Sequence, residues 1–551
     1  FRDRGIDTLG VCFLHSYANP EHEKRMRAVL AEEHPDAVVS LSSQVLREYR
    51  EYERAMTTLV DAAVKPRLSR YVSNIKERLS AYAGGSALGG SARSGARRTV
   101  PFYVMKSNGG VLSAEEVVHQ PITTVLSGPA AGALGAALIA KVAGFDKVLT
   151  SDGGGTSTDV SVVIDGEPTL TTEGSVGVYP SKIPMIDVVT VGAGGGSIAW
   201  LSPEGTLKVG PRSAGADPGP LCYGKGGHDV TITDAHVVLG RIPPHLLGGE
   251  IPLDVDAARA GIVELAGQLG LSPEACATGV LEISAWNQAN ALRQVTVKRG
   301  LDVRDFTLTT FGGSGSLLLC RLMDVLGIPR VLVPPNPGNV SAFGLLTVDV
   351  KNDYVQTHVC LADQLAAAAV TGILDALTGQ ASAALTKEGF TENQHTFQRT
   401  ADLRYFGQAF EVRVAVTQGP VDAVMLAQVA QRFHAEHRAL YGYDFAAEGS
   451  QQVEWVNLRV SGIGPITRPE IKRVPTGSGA AVAPRSTRGV CFDAAKGYVD
   501  TPVFWRLDLP PGSTIEGPAI LEEFGSTVPL HPGFVARIDD WLNVIVERSP
   551  R

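Results

Sequence analysis

The sequence has no CxxC pair; its six cysteines (Cys12, Cys222, Cys276, Cys320, Cys360 and Cys491) are scattered. That spacing is neither a disulfide framework nor a zinc-finger pattern, and it suits a reducing, cytoplasmic setting. No apolar run approaches the roughly 20 residues that a membrane-spanning helix needs. Basic residues are not in excess either: 49 Lys and Arg stand against 57 Asp and Glu, a net charge of −8. A nucleic-acid partner and a polybasic membrane-binding face are therefore not expected. There is no GxSxG elbow, no convincing Cys/His arrangement for nucleophilic catalysis and no long internal repeat. An initiating methionine is absent as well. Phe1 runs at once into GIDTLGVCFLHSY, which reads as an internal strand, so an N-terminal part is expected to be missing, cleaved or carried on another chain.

What is present is a chain of 551 residues, 44% apolar and 19% charged, the balance of a globular protein of two or three domains. Glycine is abundant (61 residues) and much of it gathers between 109 and 227, which suggests backbone that approaches a ligand closely. Residues 6–14 read as a strand, 21–33 as an amphipathic helix and 45–82 as helical. GGSALGGSARSGARR at 84–98 has no hydrophobic periodicity and reads as a linker. From 100 to about 350 strands, glycine turns and helices alternate. Residues 361–388 read as one long helix, and the segments around it to the end are β-rich.

The strongest local motif is Ser151-Asp152-Gly153-Gly154-Gly155-Thr156-Ser157-Thr158-Asp159. Two apolar strands flank a tip whose bare amides and hydroxyls can surround phosphate oxygens, because no side chain at Gly153–Gly155 blocks approach. Asp152, at the strand end, is placed to hold a hydrated magnesium ion, and Asp159 to orient water or substrate. A tight hairpin with capping hydroxyls is the competing explanation. A second turn, Gly192-Ala193-Gly194-Gly195-Gly196-Ser197, is followed by strand-like IAWLS rather than a helix. It therefore fails the dinucleotide-binding fingerprint and reads as a bend lining a cleft. A third, Gly312-Gly313-Ser314-Gly315, lies between the strand FTLTT and a helix, where amides and a helix start favour an anion or nucleotide. Gly219–Gly226 has the GxxxxGK spacing, but lacks both the preceding strand and the Ser/Thr of a P-loop. Asp217, Cys222 and His228 nearby could hold zinc or another divalent metal, or each could be structural.

Eight segments in order resemble the ATP-dependent hydantoinase/5-oxoprolinase family, A-type subunit, which includes acetone and acetophenone carboxylase subunits. They are SNGGVLS (107–113), LSGPAAGALGA (126–136), the Asp152 hairpin, VGAGGGSIAW (191–200), GPRSAGADPGPLCYGKGG (210–227), TDAHVVLGRI (233–242), FGGSG (311–315) and GNVSAFG (338–344). RYFGQAFEV (404–412) and GPAILEEFGSTVPLHPG (517–533) extend the likeness. The resemblance implies an α/β ATPase core of the actin/Hsp70/sugar-kinase type with a β-rich C-terminal domain. On that view 1–83 is the remainder of an N-terminal lobe, 84–99 a linker, 100–350 the second lobe and 351–551 the C-terminal domain. Asp152 and Asp159 then belong to the second phosphate hairpin; Gly153–Ser157 and Gly194–Ser197 line the phosphate cleft, and Gly312–Gly315 approaches the adenosine. Relatives usually read GGAGPLHAC where this chain has GGSGSLLLC, so Leu318 replaces a histidine.

The implied cofactors are ATP and Mg2+, with Asp152 toward the metal. The implied activity is phosphorylation of an enolate, carbonyl or amide oxygen, in ketone carboxylation (toward which the split core leans) or in lactam and hydantoin hydrolysis. The implied partners are a B-type subunit and a small chain or fragment carrying the first DxGGTxTD hairpin. A non-catalytic subunit with a decayed ATP site is the alternative from another class.

Overall fold

The computed structural model of the chain describes residues 1–84, 102–447, 451–475 and 482–550. The expected linker, Gly84 apart, falls outside the described residues. The fold is α/β with a β-rich C-terminal portion, and its two compact units interleave along the chain.

The first unit gathers Phe1–Ala130, Leu170–Ile186 and Val348–Thr467. Its main sheet has six strands in the order Val412–Val416, Thr396–Tyr405, Val453–Gly464, Val350–Leu361, Val111–Ser113 and Tyr103–Met105. The helix expected over 361–388 is shorter at its start: Leu361 ends the strand Val350–Leu361, which lies antiparallel to Val453–Gly464, a turn follows, and the helix runs Ala367–Lys387. The helix turns Val370, Leu374, Leu377, Ala381 and Leu385 inward at spacings of three and four residues. Behind that face, Arg459 is clamped by Asp402 and Glu48 at 2.7 and 2.5 Å, and Arg413 donates to Asp402 at 3.0 Å. A smaller parallel pair, Thr8–Val11 with Val38–Leu41, packs under the helix Glu51–Gly84.

The second unit gathers Ala131–Thr169, Asp187–Thr347 and Arg468–Arg551. Its sheet runs Val188–Val191, Thr158–Ile164, Val148–Gly153, Thr307–Phe311, Arg330–Val333, Val544–Arg548, Phe534–Ile538, Thr514–Glu516. The three central strands are parallel to one another. Such strands, covered on both faces, read as continuous apolar runs; all five residues of Thr307–Phe311 are buried. The helix Pro273–Val297 covers this core with Cys276, Val280, Leu281, Ala285, Ala289 and Leu292. It begins where Ser272 Oγ accepts from the Ala275 amide at 3.2 Å, with Pro273 at the first helical position. A four-stranded sheet, Ser486–Asp493, Gly497–Trp505, Ala519–Glu523 and Ser526–Leu530, completes the unit. No helix of the described residues is long and apolar enough to cross a membrane.

His531 of the second unit is half-buried. Burial, with Arg241 and Arg321 nearby, pushes the His531 imidazole down to about 3. An unfolded histidine takes its proton near pH 6.5. Above that value both states are neutral; below it the unfolded chain alone gains a proton, so stability falls as pH drops from about 6.5 toward 3. Replacing His531 by Gln should flatten the loss of melting temperature between pH 6.5 and 4.5, and an unchanged slope would assign that loss to other groups.

Candidate functional site

The site grows out of one hairpin of the second unit. Strands Val148–Gly153 and Thr158–Ile164 pair antiparallel with Asp152 opposite Asp159 and Gly153 opposite Thr158. The hairpin closes where the Gly154 amide donates to Ser157 O at 2.9 Å. Two further glycine turns fold onto this tip. Gly195 and Gly196 donate their amides to Gly154 O and Gly155 O at 3.0 and 2.6 Å, while Ser314 donates through its amide to Gly153 O (2.9 Å) and through Oγ to Gly154 O (2.7 Å). The approach is too close for side chains. A Cβ on Gly194 would stand 2.6 Å from Ser157 N, and one on Gly315 would stand 2.8 Å from Thr310 Oγ1. Gly312 adds a left-handed φ of 82°, open at little cost only to glycine.

The three turns thus meet at one place, and they leave donors over. The amides of Gly155, Thr156 and Gly313 have no acceptor among the described residues. They border a cavity of about 620 Å³. Part of its lining is backbone and hydroxyl: Gly154, Gly155, Thr156, Gly195, Gly196, Gly313, Ser314 and Thr233. Thr233 is fixed by donating Oγ1 to Gly195 O at 2.8 Å. Much of the rest is apolar and aromatic, with Ile242, Leu246, Ile251, Tyr223, Trp505 and Phe524. Lys225, Glu522 and Glu523 are also on its wall. Glu523 is held by Arg506 at 2.6 Å and Glu522 by Arg488 at 2.7 Å, so neither carboxylate is free.

Asp152 and Asp159 flank the hairpin rather than line the cavity. Asp152 Oδ2 accepts from Ser341 Oγ at 3.0 Å, and Asp159 accepts from Thr190 Oγ1. Burial raises both carboxyls above their ordinary range, and Asp159 adds to the effect on Asp152. Neither makes an ion pair among the described residues. Two facing, desolvated carboxylates with no basic partner are a place where a divalent cation relieves repulsion. Of the other expected residues, Gly153, Gly194, Gly312 and Gly315 form the crossing behind the cavity wall. Ser157 closes the hairpin through its carbonyl, and Ser197 is buried with Oγ donating to Gly192 O at 3.1 Å.

The second metal expectation fails. Among the described residues no group of three or more His, Cys, Asp or Glu side chains is disposed to hold a metal. Asp217 and His228 are exposed while Cys222 is buried, so their side chains have no common environment. Burial, with the Asp234 carboxylate beside it, pushes the Cys222 thiol well up, away from the thiolate a metal needs. Asp234 itself is structural: it accepts from the Cys222 and Thr231 amides, both at 2.8 Å, and completes a capping box on the helix Ile232–Val238.

Trp505, Phe524 and Thr233 were not singled out by the sequence, and Lys225 only as part of a spacing set aside. Lys225 ends the GxxxxGK spacing, which makes no P-loop here, since Leu221–Tyr223 is a single helical turn with no strand before it.

A family model described as Hydantoinase/oxoprolinase matches residues 54–354, and one described as Hydantoinase/oxoprolinase C-terminal domain matches residues 361–546. Caprolactamase subunit alpha of Pseudomonas jessenii is 33% identical, over 98% of this chain and 76% of its own length. The crystal structure of the ATP-dependent caprolactamase from Pseudomonas jessenii superposes with a TM-score of 0.87 at 32% identity, covering 100% of this chain and 78% of that one. A nucleotide-free structure of acetone carboxylase, described under ATP-dependent acetone carboxylation, superposes with a TM-score of 0.78 at 27% identity, covering 100% and 77%.

Proposed function

The chain belongs to the hydantoinase/oxoprolinase family, and from that premise we propose that it is the ATP-binding subunit of an enzyme that phosphorylates a carbonyl or amide oxygen. The observation that carries this reading is the meeting of three glycine turns on a cavity whose lining includes unused amides and aromatic side chains. Phosphoryl transfer asks for positioning, N–H donors and a cation more than for a covalent nucleophile, and that is what these residues offer. The amides of Gly155, Thr156 and Gly313 hold phosphate oxygens; Trp505, Phe524 and Ile242 hold the base. Asp152, with Asp159, would hold magnesium, which supplies charge neutralisation at the phosphates when bound. The core is of the actin/Hsp70/sugar-kinase type, as the strand–glycine–strand hairpin suggests.

Of the two chemistries, the caprolactamase likeness (TM-score 0.87 and 32% identity, against 0.78 and 27% for acetone carboxylase) favours a cyclic amide over a ketone. The subunit designation of the Pseudomonas jessenii relative supports a separate B-type partner subunit that completes the reaction after phosphorylation.

Isothermal titration with MgATP tests the reading directly: binding with one site per chain is expected, and no binding would overturn it. Trp505→Ala should weaken MgATP affinity about tenfold, because base–aromatic stacking contributes about 1–3 kcal/mol. Unchanged affinity would move the base away from Trp505.

A further inference from the structure

The first unit holds a charged chamber that the nucleotide reading does not use. The turn Lys106–Gly110 joins strands Tyr103–Met105 and Val111–Ser113 and packs on Val350–Leu361 and Val453–Gly464. Asn108 Nδ2 and Ser461 Oγ both donate to Asp353, and Lys106 Nζ donates to the Lys351 carbonyl at 3.1 Å. These groups surround a cavity of about 120 Å³, the room of roughly four water molecules at about 30 Å³ each. Thr400 and Gln398 add polar wall, while Leu170, Ile183 and Pro184 form an apolar side.

The charges here do not balance. Arg459 and Arg413 are matched by Asp402 and Glu48 in a closed network. That leaves Lys106 and Lys351 against Asp353, with Glu388 also acting on Lys106, so the surplus of positive charge comes from the adjoining groove. Lys106 is 6% exposed, yet one carbonyl is its only acceptor and it makes no ion pair among the described residues. A buried ammonium with two unused donors is costly unless something pairs it. An open groove of about 760 Å³ shares Val45, Lys106, Gln120 and Asp353 with the chamber. Arg27 and Arg47 on that groove have no carboxylate partner among the described residues, against one unpaired acid, Glu388, held by Ser113 at 2.8 Å. Asn352, 6% exposed on the same groove, has an Nδ2 with no acceptor. Apart from Glu388, every unused group named here is a donor or a cation.

We propose that this chamber binds the carboxylate of a small monocarboxylic acid, with Lys106 pairing its charge and the Leu170–Ile183–Pro184 side covering its apolar body. An acid of this size fills the chamber, meets the surplus positive charge of chamber and groove and gives the unused lysine protons an acceptor. The proposal is independent of the nucleotide reading, because every residue it uses lies in the first unit.

The test compares butanoate with butanamide, which share shape and differ in charge, by saturation-transfer NMR and competition on the full chain. Butanoate should bind at least tenfold more tightly. Lys106→Met should bring the two ligands to within about twofold of each other, while MgATP affinity stays as it was. Equal binding of the two by the natural chain, or undiminished butanoate binding by Lys106→Met, overturns the proposal. Should Lys106→Met fail to fold, displacement settles it on the natural chain: propanoate should displace butanoate, and inorganic phosphate displacing it as readily would overturn the carboxylate assignment. Loss of MgATP binding with butanoate binding intact would count against the nucleotide site alone.

Discussion

Asp152→Asn should remove the magnesium dependence of ATP binding and lower ATP-dependent turnover by about 10²–10³-fold, the scale of losing one preorganised charge-stabilising group. Asp152 faces Asp159 across the hairpin, both are raised by burial, and neither has a basic partner among the described residues. The signs follow from that arrangement. A carboxyl whose folded value lies above its unfolded one favours the fold when protonated, so the pair costs stability as pH rises past the unfolded value near 4. A divalent cation between phosphates and carboxylates offsets that cost. Thermal melts at pH 7.5 should therefore rise with magnesium in the natural chain and stay flat in Asp152→Asn. The variant without metal should melt no lower than the natural chain, because the amide keeps the shape, can keep a hydrogen bond with Ser341 and removes a like-charge repulsion. Titration of ATP with and without magnesium completes the measurement. The same magnesium increment in both proteins would take Asp152 out of metal binding.

The hairpin was legible in the sequence because its chemistry is contiguous: strand, acid, three glycines, hydroxyls, acid, strand, all within Val148–Ile164. The two other glycine turns were legible for the same reason, though nothing local says that Ser314 reaches Gly153 and Gly154, some 160 residues earlier in the chain. Contiguity also misled. Asp217, Cys222 and His228 are neighbours in sequence, but two are exposed and one is buried, and exposure alternates within a loop with no pattern that composition reveals. The aromatic part of the lining had no local signal, because Trp505 and Phe524 belong to a sheet whose pairing is local but which lies far downstream of the glycine turns. The buried Arg459–Asp402–Glu48 set is likewise assembled from three distant segments. Alanine-rich composition after Leu361 pulled the expected helix too early, where the chain leaves the strand through a turn before Ala367.

Gly153→Ala should abolish nucleotide binding, and the reason is backbone rather than loop chemistry. A Cβ at Gly153 would stand 2.5 Å from Gly315 Cα and 2.6 Å from Gly315 N. Those are main-chain atoms, so relief requires the whole Gly312–Gly315 turn to move, not a side chain to rotate. The move would break the Ser314 amide bond to Gly153 O and the Ser314 hydroxyl bond to Gly154 O, 2.9 and 2.7 Å in the native fold. Overpacking of this kind costs about 1–3 kcal/mol, so the melting temperature should drop with the affinity. Gly155→Ala supplies the contrast. Nothing lies within 4 Å of a Cβ there, and the residue is on the cavity wall. Its melting temperature should stay close to that of the natural chain, while ATP affinity falls because the methyl occupies space that phosphate oxygens need. Two alanines two residues apart would then separate two roles: one glycine lets the turns cross, the other leaves the amides bare. If Gly153→Ala melted and bound ATP like the natural chain, the crossing of the two turns would not be what forms the phosphate end of the site.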